Sequence, residues 1–370
     1  MLLPTSGARH PYGPDGRFGL YGRGLCRRGL CRRGRRAGYR WRAARPLVNR
    51  VPVSDVPSLD PPLTDDVPDL GPPPRRLTVD AGQVGRLVAE QFPQWAHLPV
   101  RPVADGGWDN RTFHLGDHMS VRLPSAAEYA QAVDKEHHWL PRFASRLPQP
   151  IPKPLAKGAP GPGYPFPWSV YEWLDGTPAT PAAIADPVRF ALDLAEFLAA
   201  LRSIDPAGGP GPGKHNWFRG GTLRTFEGLL TAALERELSS VVPDCAADCD
   251  ILFAADRANS FTLVREIWAD ALGAPWDGVP YWFHGDVAAG NLLLDAGRLS
   301  AVIDFGTCGV GDPACDLAVA WTLLTAEGRR AFRDRLGVDD ATWRRGRGWA
   351  LWKSLADDES HVVDVILSEA

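Results

Sequence analysis

Lysine is nearly missing from this 370-residue chain: five occur, against thirty-six arginines. Ala, Gly and Pro are abundant at the same time, a pattern that a GC-rich coding sequence produces as readily as any physical demand. Long hydrophobic runs are missing too. No stretch of eighteen apolar residues occurs, so no membrane span is expected. The first nine residues lack the extended apolar core of a secretory signal. Cysteines number six, at 26, 31, 245, 249, 308 and 315. Cys245 and Cys249 could share a helix face, but no second pair of ligands accompanies them, so free thiols in a reducing cytoplasm are expected rather than a zinc site. A Walker-type phosphate loop is excluded, because Gly213-Lys214 runs into His215 instead of Ser or Thr. No serine nucleophile elbow and no internal repeat is present.

What is there is unevenly charged. The net charge is -3, yet residues 1–50 contain thirteen Arg and one acidic residue, Asp15, about +12, which leaves about -15 for the rest. An acidic body disfavours a nucleic-acid backbone and suits a cationic partner. The Gly/Arg alternation of residues 22–42 holds too little apolar surface to bury a core. It reads as a disordered tail or translated upstream sequence, with a nucleic-acid-binding or targeting segment as the alternatives. Residues 51–76 follow as a Pro- and Asp-rich linker ending in Gly71-Pro72-Pro73-Pro74.

Folded sequence begins near Leu77. Asp80 precedes Val84, Leu87 and Val88, the signature of a short capped helix. Three strands are predicted at 100–104, 111–115 and 118–123, the last two joined by a turn at Gly116-Asp117. Ser125 and Glu128 form the pattern of a capping box, ahead of a helix with Val133, Glu136, Trp139 and Leu140 on one face. Prolines at 148, 150, 152 and 154 impose an extended connection to a buried strand at 168–174. Beyond it the periodicity turns helical. Asp186-Pro187 opens one helix, and helical segments follow at 223–238, 263–272, 316–324, 327–336 and 341–370. A strand–turn–strand at 281–303 interrupts them. The order implies an α+β fold of two lobes: a small β-rich lobe at 77–173 and a larger helical lobe at 174–370.

Chemistry concentrates in His284-Gly285-Asp286-Val287-Ala288-Ala289-Gly290-Asn291 and in Ile303-Asp304-Phe305-Gly306. Phosphoryl transfer needs an in-line hydroxyl, metal ions on the phosphates and neutralised charge, and little covalent help. Asp286 is placed to orient a hydroxyl and accept its proton. Asn291 and Asp304 offer hard oxygen ligands of the kind Mg²⁺ prefers.

These segments resemble the catalytic-loop and metal-binding motifs of the aminoglycoside phosphotransferase family, small-molecule kinases of protein-kinase-like fold. The likeness spans roughly residues 79–355. It implies transfer of the γ-phosphoryl of ATP or GTP, with Mg²⁺, to a hydroxyl of a small molecule such as an aminoglycoside. Protein kinases carry Arg between the His and the Asp, where this chain has Gly285. That, with the missing Ala-Pro-Glu segment, argues against the alternative of a protein or lipid kinase. Intact Asp286, Asn291 and Asp304 argue against a non-catalytic binding protein. The resemblance further implies that His284 braces the loop from backbone near Asp304, and that Asp316 braces it as well. The loop Asp105-Gly106-Gly107-Trp108-Asp109-Asn110 is expected over the phosphates, with Gly106, Gly107 and Asn110 in contact. Arg122 takes the place of the family's phosphate-binding Lys, with Glu136 as its partner. Glu172 and Trp173 are expected to offer backbone groups to the base. The acidic clusters at Asp244, Asp248, Asp250 and Asp256 and at Asp357, Asp358 and Glu359 favour an amine-rich acceptor if they line its groove. Trp276, Trp282 and Trp321 offer rings that could stack on a sugar or a macrolide, with buried packing the expected role.

Overall fold

The computed structural model describes residues 74–104, 107–239, 250–356 and 360–368. The tail and most of the linker, Asp105, Gly106, Cys245, Cys249 and the acidic positions 244, 248 and 357–359 lie outside them. So do the side chains of Asp250 and Asp256.

Helix α1 (Ala81–Gln91) begins as expected: Asp80 accepts the amide of Gln83 at 2.8 Å, and Val84, Leu87 and Val88 are buried. Such a cap contributes about 1 kcal/mol. Five antiparallel strands follow: β1 (Val100–Pro102), β2 (Asn110–Leu115), β3 (Met119–Pro124), β4 (Pro154–Gly158) and β5 (Trp168–Glu172), in the order β1-β2-β3-β5-β4. The β2–β3 turn uses Gly116 at φ +62°, open to glycine without strain. The proline-rich stretch taken as a plain connection ends in β4. A strand starting at Pro154 is tolerated because it sits at the sheet edge, where a missing amide hydrogen costs no ladder bond.

Helix α2 (Ala127–Phe143) links β3 to β4. Its expected capping box is absent: Ala126 is the N-cap and no side chain bonds there. Ser125 is buried and donates instead to the Trp108 carbonyl at 3.1 Å, while its amide donates to Asp109 at 2.7 Å. The loop before β2 has recruited the residue that local pattern assigned to the helix.

A two-residue strand, β6 (Thr177–Pro178), leads into α3 (Pro187–Arg202), where Asp186 accepts from the amides of Val188 and Arg189. Helices α4 (Glu227–Ser239) and α5 (Asp250–Gly273) come next. The strand expected from residue 281 is two strands, β7 (Tyr281–Phe283) and β8 (Leu292–Asp295), separated by a loop and a 3-10 turn at Ala289–Asn291. Then come β9 (Arg298–Val302), β10 (Gly309–Gly311), a 3-10 segment Pro313–Ala318, and helices α6 (Val319–Thr322), α7 (Ala326–Leu336), α8 (Asp340–Ala356) and α9 (Ser360–Leu367). β7 pairs with β10, and β6, β8 and β9 form a small sheet. The architecture is α+β, sheet-rich first and helical afterwards, as the periodicity implied. Among the described residues no helix is long and apolar enough to cross a membrane.

Two apolar cores result. One joins α1 to the five-stranded sheet through Val84, Leu87, Phe113, Leu115, Val121, Trp168 and Val170. The other gathers the helices around Phe197, Phe283, Phe305, Leu317, Phe332 and Trp349, and takes Leu140 and Phe143 from α2. α2 therefore belongs by chain to the sheet and by its last two turns to the helical core.

The first core tests its packing at Gly158. A Cβ there would stand 2.0 Å from the buried indole of Trp168, whose ring meets Phe92 edge-on and whose Nε1 donates to Ala159. Overpacking of this kind costs about 1–3 kcal/mol. Gly158→Ala is expected to lower the urea unfolding midpoint accordingly, and an unchanged midpoint would show that the indole moves freely.

Candidate active site

The loop leaving β7 is held by one buried carboxylate. Asp316, in the 3-10 segment, accepts the amide hydrogens of His284 at 2.9 Å and Gly285 at 2.7 Å. Burial raises its carboxyl above the ordinary range, against the pull of those two amides and of Arg202. Next in the loop, His284 is fully buried. Its Nε2 lies 3.0 Å from the Ile303 carbonyl and its Nδ1 accepts from the Asp286 amide at 3.2 Å. A carbonyl only accepts and an amide only donates, so the ring is the neutral Nε2–H tautomer with both nitrogens occupied. The bracing expected of His284 is what the geometry provides.

Gly285 sits at φ +85°, and an added Cβ would lie 2.7 Å from the Thr307 carbonyl oxygen. That is the physical reason glycine, and no larger residue, stands between His284 and Asp286. Asp286 then points outward, partly exposed. Its Oδ2 accepts from Asn291 Nδ2 at 2.9 Å, and the same nitrogen donates to the Asp286 carbonyl at 2.9 Å. Its Oδ1 accepts from Lys353 Nζ, on α8, at 2.6 Å. Burial alone would raise this carboxyl; Lys353, by charge and hydrogen bond, with Arg219, holds it well below the usual carboxylate range.

Asp304 follows β9 in a left-handed conformation, φ +67°, unusual for a non-glycine residue. Its Oδ1 accepts from Arg122 Nη2 at 2.7 Å. Arg122, on β3, also lies 3.6 Å from Glu136 of α2, an ion pair too long for a hydrogen bond. Glu136 is itself buried and accepts a short hydrogen bond from the Tyr171 hydroxyl. Burial pushes its carboxyl up and Arg122 pulls it back. The expected Arg122–Glu136 partnership is thus present, with Asp304 as the closer carboxylate.

Of the remaining expected residues, Gly107 has open space around it, and Asn110 opens β2 opposite Pro124. Glu172 and Trp173 both have their amides bonded within the fold. The Glu172 amide donates to the Lys153 carbonyl at 3.0 Å, on the β4 side, and that of Trp173 to the His118 carbonyl at 2.9 Å, on the β3 side. Trp282 is buried with Nε1 on the Asp205 carbonyl, and Trp321 is buried against Trp343, so neither is a stacking surface; Trp276 is exposed. Cys308 and Cys315 are free and buried.

Three cations at the site escaped the sequence reading. Lys353 lies on α8 with no motif around it. Arg219 donates from Nε to the Gly285 carbonyl at 3.1 Å and lies 4.5 Å from the Trp352 ring. Lys135 donates to the carbonyls of Gly306 at 2.6 Å and Cys308 at 3.0 Å, directly behind Asp304. The signal that finds Lys353 is helical phase. It falls seven residues after Gly346, whose Cα packs on Leu317, and next to buried Trp349 and Trp352. A lysine on the inward stripe of a helix calls for a partner.

Two substitutions report on the loop. Gly285→Ala must relieve both the left-handed φ and the contact with Thr307, and is expected to lose about 1–3 kcal/mol. Asp316→Ala leaves two buried amides without an acceptor, at about 1–3 kcal/mol. Thermal melts check both; a wild-type melting temperature in Asp316→Ala would mean that water replaces the carboxylate.

The chain shares its fold with the GDP complex of wild-type aminoglycoside 2'-phosphotransferase-IIIa, at a TM-score of 0.59 and 18% identity over 79% of this chain and 99% of that one. A GDP and kanamycin complex of APH(2")-IIia gives 0.57 and 20%, over 77% and 97%. Macrolide 2'-phosphotransferase type I gives 0.50 and 18%, over 80% and 98%. No curated protein sequence matches. The pattern of the family described as the phosphotransferase enzyme family matches residues 100–349. With more than half of its length covered by that pattern, the chain belongs to the phosphotransferase enzyme family.

Proposed function

We propose that this protein transfers the γ-phosphoryl group of ATP or GTP to a hydroxyl of a small molecule, with Asp286 as the residue that orients the hydroxyl and takes its proton. The observation that carries the reading is the set Asp286, Asn291 and Asp304 on one buried frame, with Arg122 bridging Asp304 to Glu136. Structural neighbours named for aminoglycoside and for macrolide transfer support the reaction class they have in common.

In this reading residues 77–173 bind the nucleotide and 174–370 carry catalysis and the acceptor. Gly106, Gly107 and Asn110 cover the phosphates, and Arg122 presents its charge to the α- and β-phosphates. Glu136 pairs with Arg122 and is itself held by the Tyr171 hydroxyl. Asp286 stays ionised, so it is ready to accept a proton as the hydroxyl oxygen bonds to phosphorus and the bond to the β-phosphate oxygen breaks. His284 positions Asp286 and takes no proton.

The residues present suit Mg²⁺. The amide nitrogen of Asn291 is committed twice to Asp286, so its oxygen is the atom left for a cation. Asp304 supplies a carboxylate. Among the described residues no group of three or more His, Cys, Asp or Glu side chains is gathered for a metal, so two protein ligands with phosphate and water oxygens would make the set. Bound there, Mg²⁺ neutralises charge on the phosphates.

Asp286→Ala is expected to cut acceptor-dependent nucleoside diphosphate release by about 10²–10⁴-fold and to leave nucleotide affinity unchanged. Asp304→Ala should instead weaken Mg²⁺-dependent nucleotide binding in calorimetry. Full turnover in Asp286→Ala, or wild-type affinity that ignores Mg²⁺, would remove these assignments.

A further inference from the structure

Lys353 is fixed where an acceptor hydroxyl has to arrive. Its helix, α8, is docked by a buried, two-bonded pair between Arg345 and Asp312, at 2.7 and 3.2 Å. Gly346 brings α8 so close to the 3-10 segment that a Cβ would stand 2.6 Å from Leu317. One heptad on, Lys353 projects from the same face and donates to Asp286 Oδ1 at 2.6 Å, with 18% of its side chain exposed. The other oxygen of Asp286 belongs to Asn291. A second cation, Arg219, is buried against Trp352 and bonded to the Gly285 carbonyl, one residue away. Lys353 is therefore the cation on the Asp286 carboxylate itself, while Arg219 holds the Gly285 carbonyl and the Asp316 carboxylate holds the Gly285 amide.

We propose that Lys353 is a specificity-determining residue, and that the acceptor is a polyhydroxylated compound whose groups beside the reacting hydroxyl are neutral or anionic, not ammonium. The inference rests on the phosphotransfer reading above and narrows its acceptor. An ammonium next to the reacting hydroxyl meets Lys353 at short range and competes with it for Asp286 Oδ1. A hydroxyl, amide or carboxylate in that place accepts a charge-assisted hydrogen bond from Lys353, while the reacting hydroxyl donates to Asp286. This runs against the cationic acceptor that the surplus of acidic residues suggested, because overall charge describes the surface, and Lys353 describes the place where the hydroxyl binds.

The test uses the full chain with ATP and Mg²⁺ and matched acceptors: kanamycin against per-N-acetylated kanamycin, and glucosamine against N-acetylglucosamine and glucuronate. Wild type is expected to show kcat/KM at least about tenfold higher for the neutral or anionic member of a set. Lys353→Met should erase most of that ratio, mainly through KM, and Lys353→Arg should keep it. An unchanged KM for ATP in both variants confirms that the fold and nucleotide site are intact. Preference of the wild type for the ammonium member, or the same ratio in Lys353→Met, overturns the proposal. So does silence toward every neutral and anionic compound by a protein that binds ATP with Mg²⁺. Absence of Mg²⁺-dependent nucleotide binding fails differently, since it removes the phosphotransfer reading itself.

Discussion

The carboxylate of Asp316 holds two consecutive amides, those of His284 and Gly285, and the rest of the site hangs from that grip. Two amides pointing at one acceptor force the chain to turn, and the turn is what puts Gly285 at positive φ. Once it has turned, His284 Nδ1 faces the Asp286 amide and His284 Nε2 faces Ile303, one residue before Asp304. One imidazole thereby fixes the distance between the loop that ends β7 and the residue that follows β9. The cost of burying a carboxylate at zero exposure is offset by charged hydrogen bonds, each typically contributing about 1.5–3 kcal/mol. No apolar side chain could replace it, because the two amides would then be buried without an acceptor.

A second constraint runs between the two cores. Arg122 belongs to the sheet, Asp304 to the end of the small β8–β9 hairpin, and Glu136 to the helix that both cores share. A planar guanidinium can address two carboxylates lying on different sides, which a point ammonium does less well. Burial opposes ionisation of Arg122, and Asp304 and Glu136 more than compensate, so it remains charged. The helix α2 is the mechanical partner of this bridge. Its middle carries Glu136 to Arg122 and Tyr171 of the sheet, and its last turns carry Leu140 and Phe143 into the helical core. Displacing α2 would therefore move the cation and the helical core together.

Much of this was legible before any coordinates, for reasons specific to each part. Asp80 and Asp186 cap helices because capping is local chemistry, decided within three residues. The 284–291 and 303–306 segments announce themselves because phosphoryl transfer fixes residue type and spacing along the chain. Ser125 misled because its hydroxyl found the Trp108 carbonyl, a partner seventeen residues away that no local pattern encodes. β4 was hidden by prolines that only an edge position permits. The amides of Glu172 and Trp173 are taken by the carbonyls of Lys153 and His118, partners that local sequence does not encode. Lys353 is sixty-seven residues from Asp286, and tertiary packing of α8 alone joins them.

The scarcity of lysine acquires a physical meaning at this site. In a chain that uses arginine for most of its cations, two of five lysines converge on the loops around Asp286 and Asp304. Lys135 explains why one of them has to be lysine. Its ammonium reaches the carbonyls of Gly306 and Cys308 and lies 3.2 Å from His215 Nδ1, three acceptors around one nitrogen. A tetrahedral donor satisfies that arrangement and a planar fork does not. Burial pulls the Lys135 ammonium below its usual range, with nearby Cys308, Glu136 and Asp304 resisting. The other three lysines do not share the pattern: Lys153 and Lys157 pair with exposed carboxylates, and Lys214 lies in a surface 3-10 turn. Residue choice at these buried positions follows the shape of the acceptor set. Arginine stands where two carboxylates flank the cation, at Arg122, and lysine stands where carbonyl oxygens surround it, at Lys135.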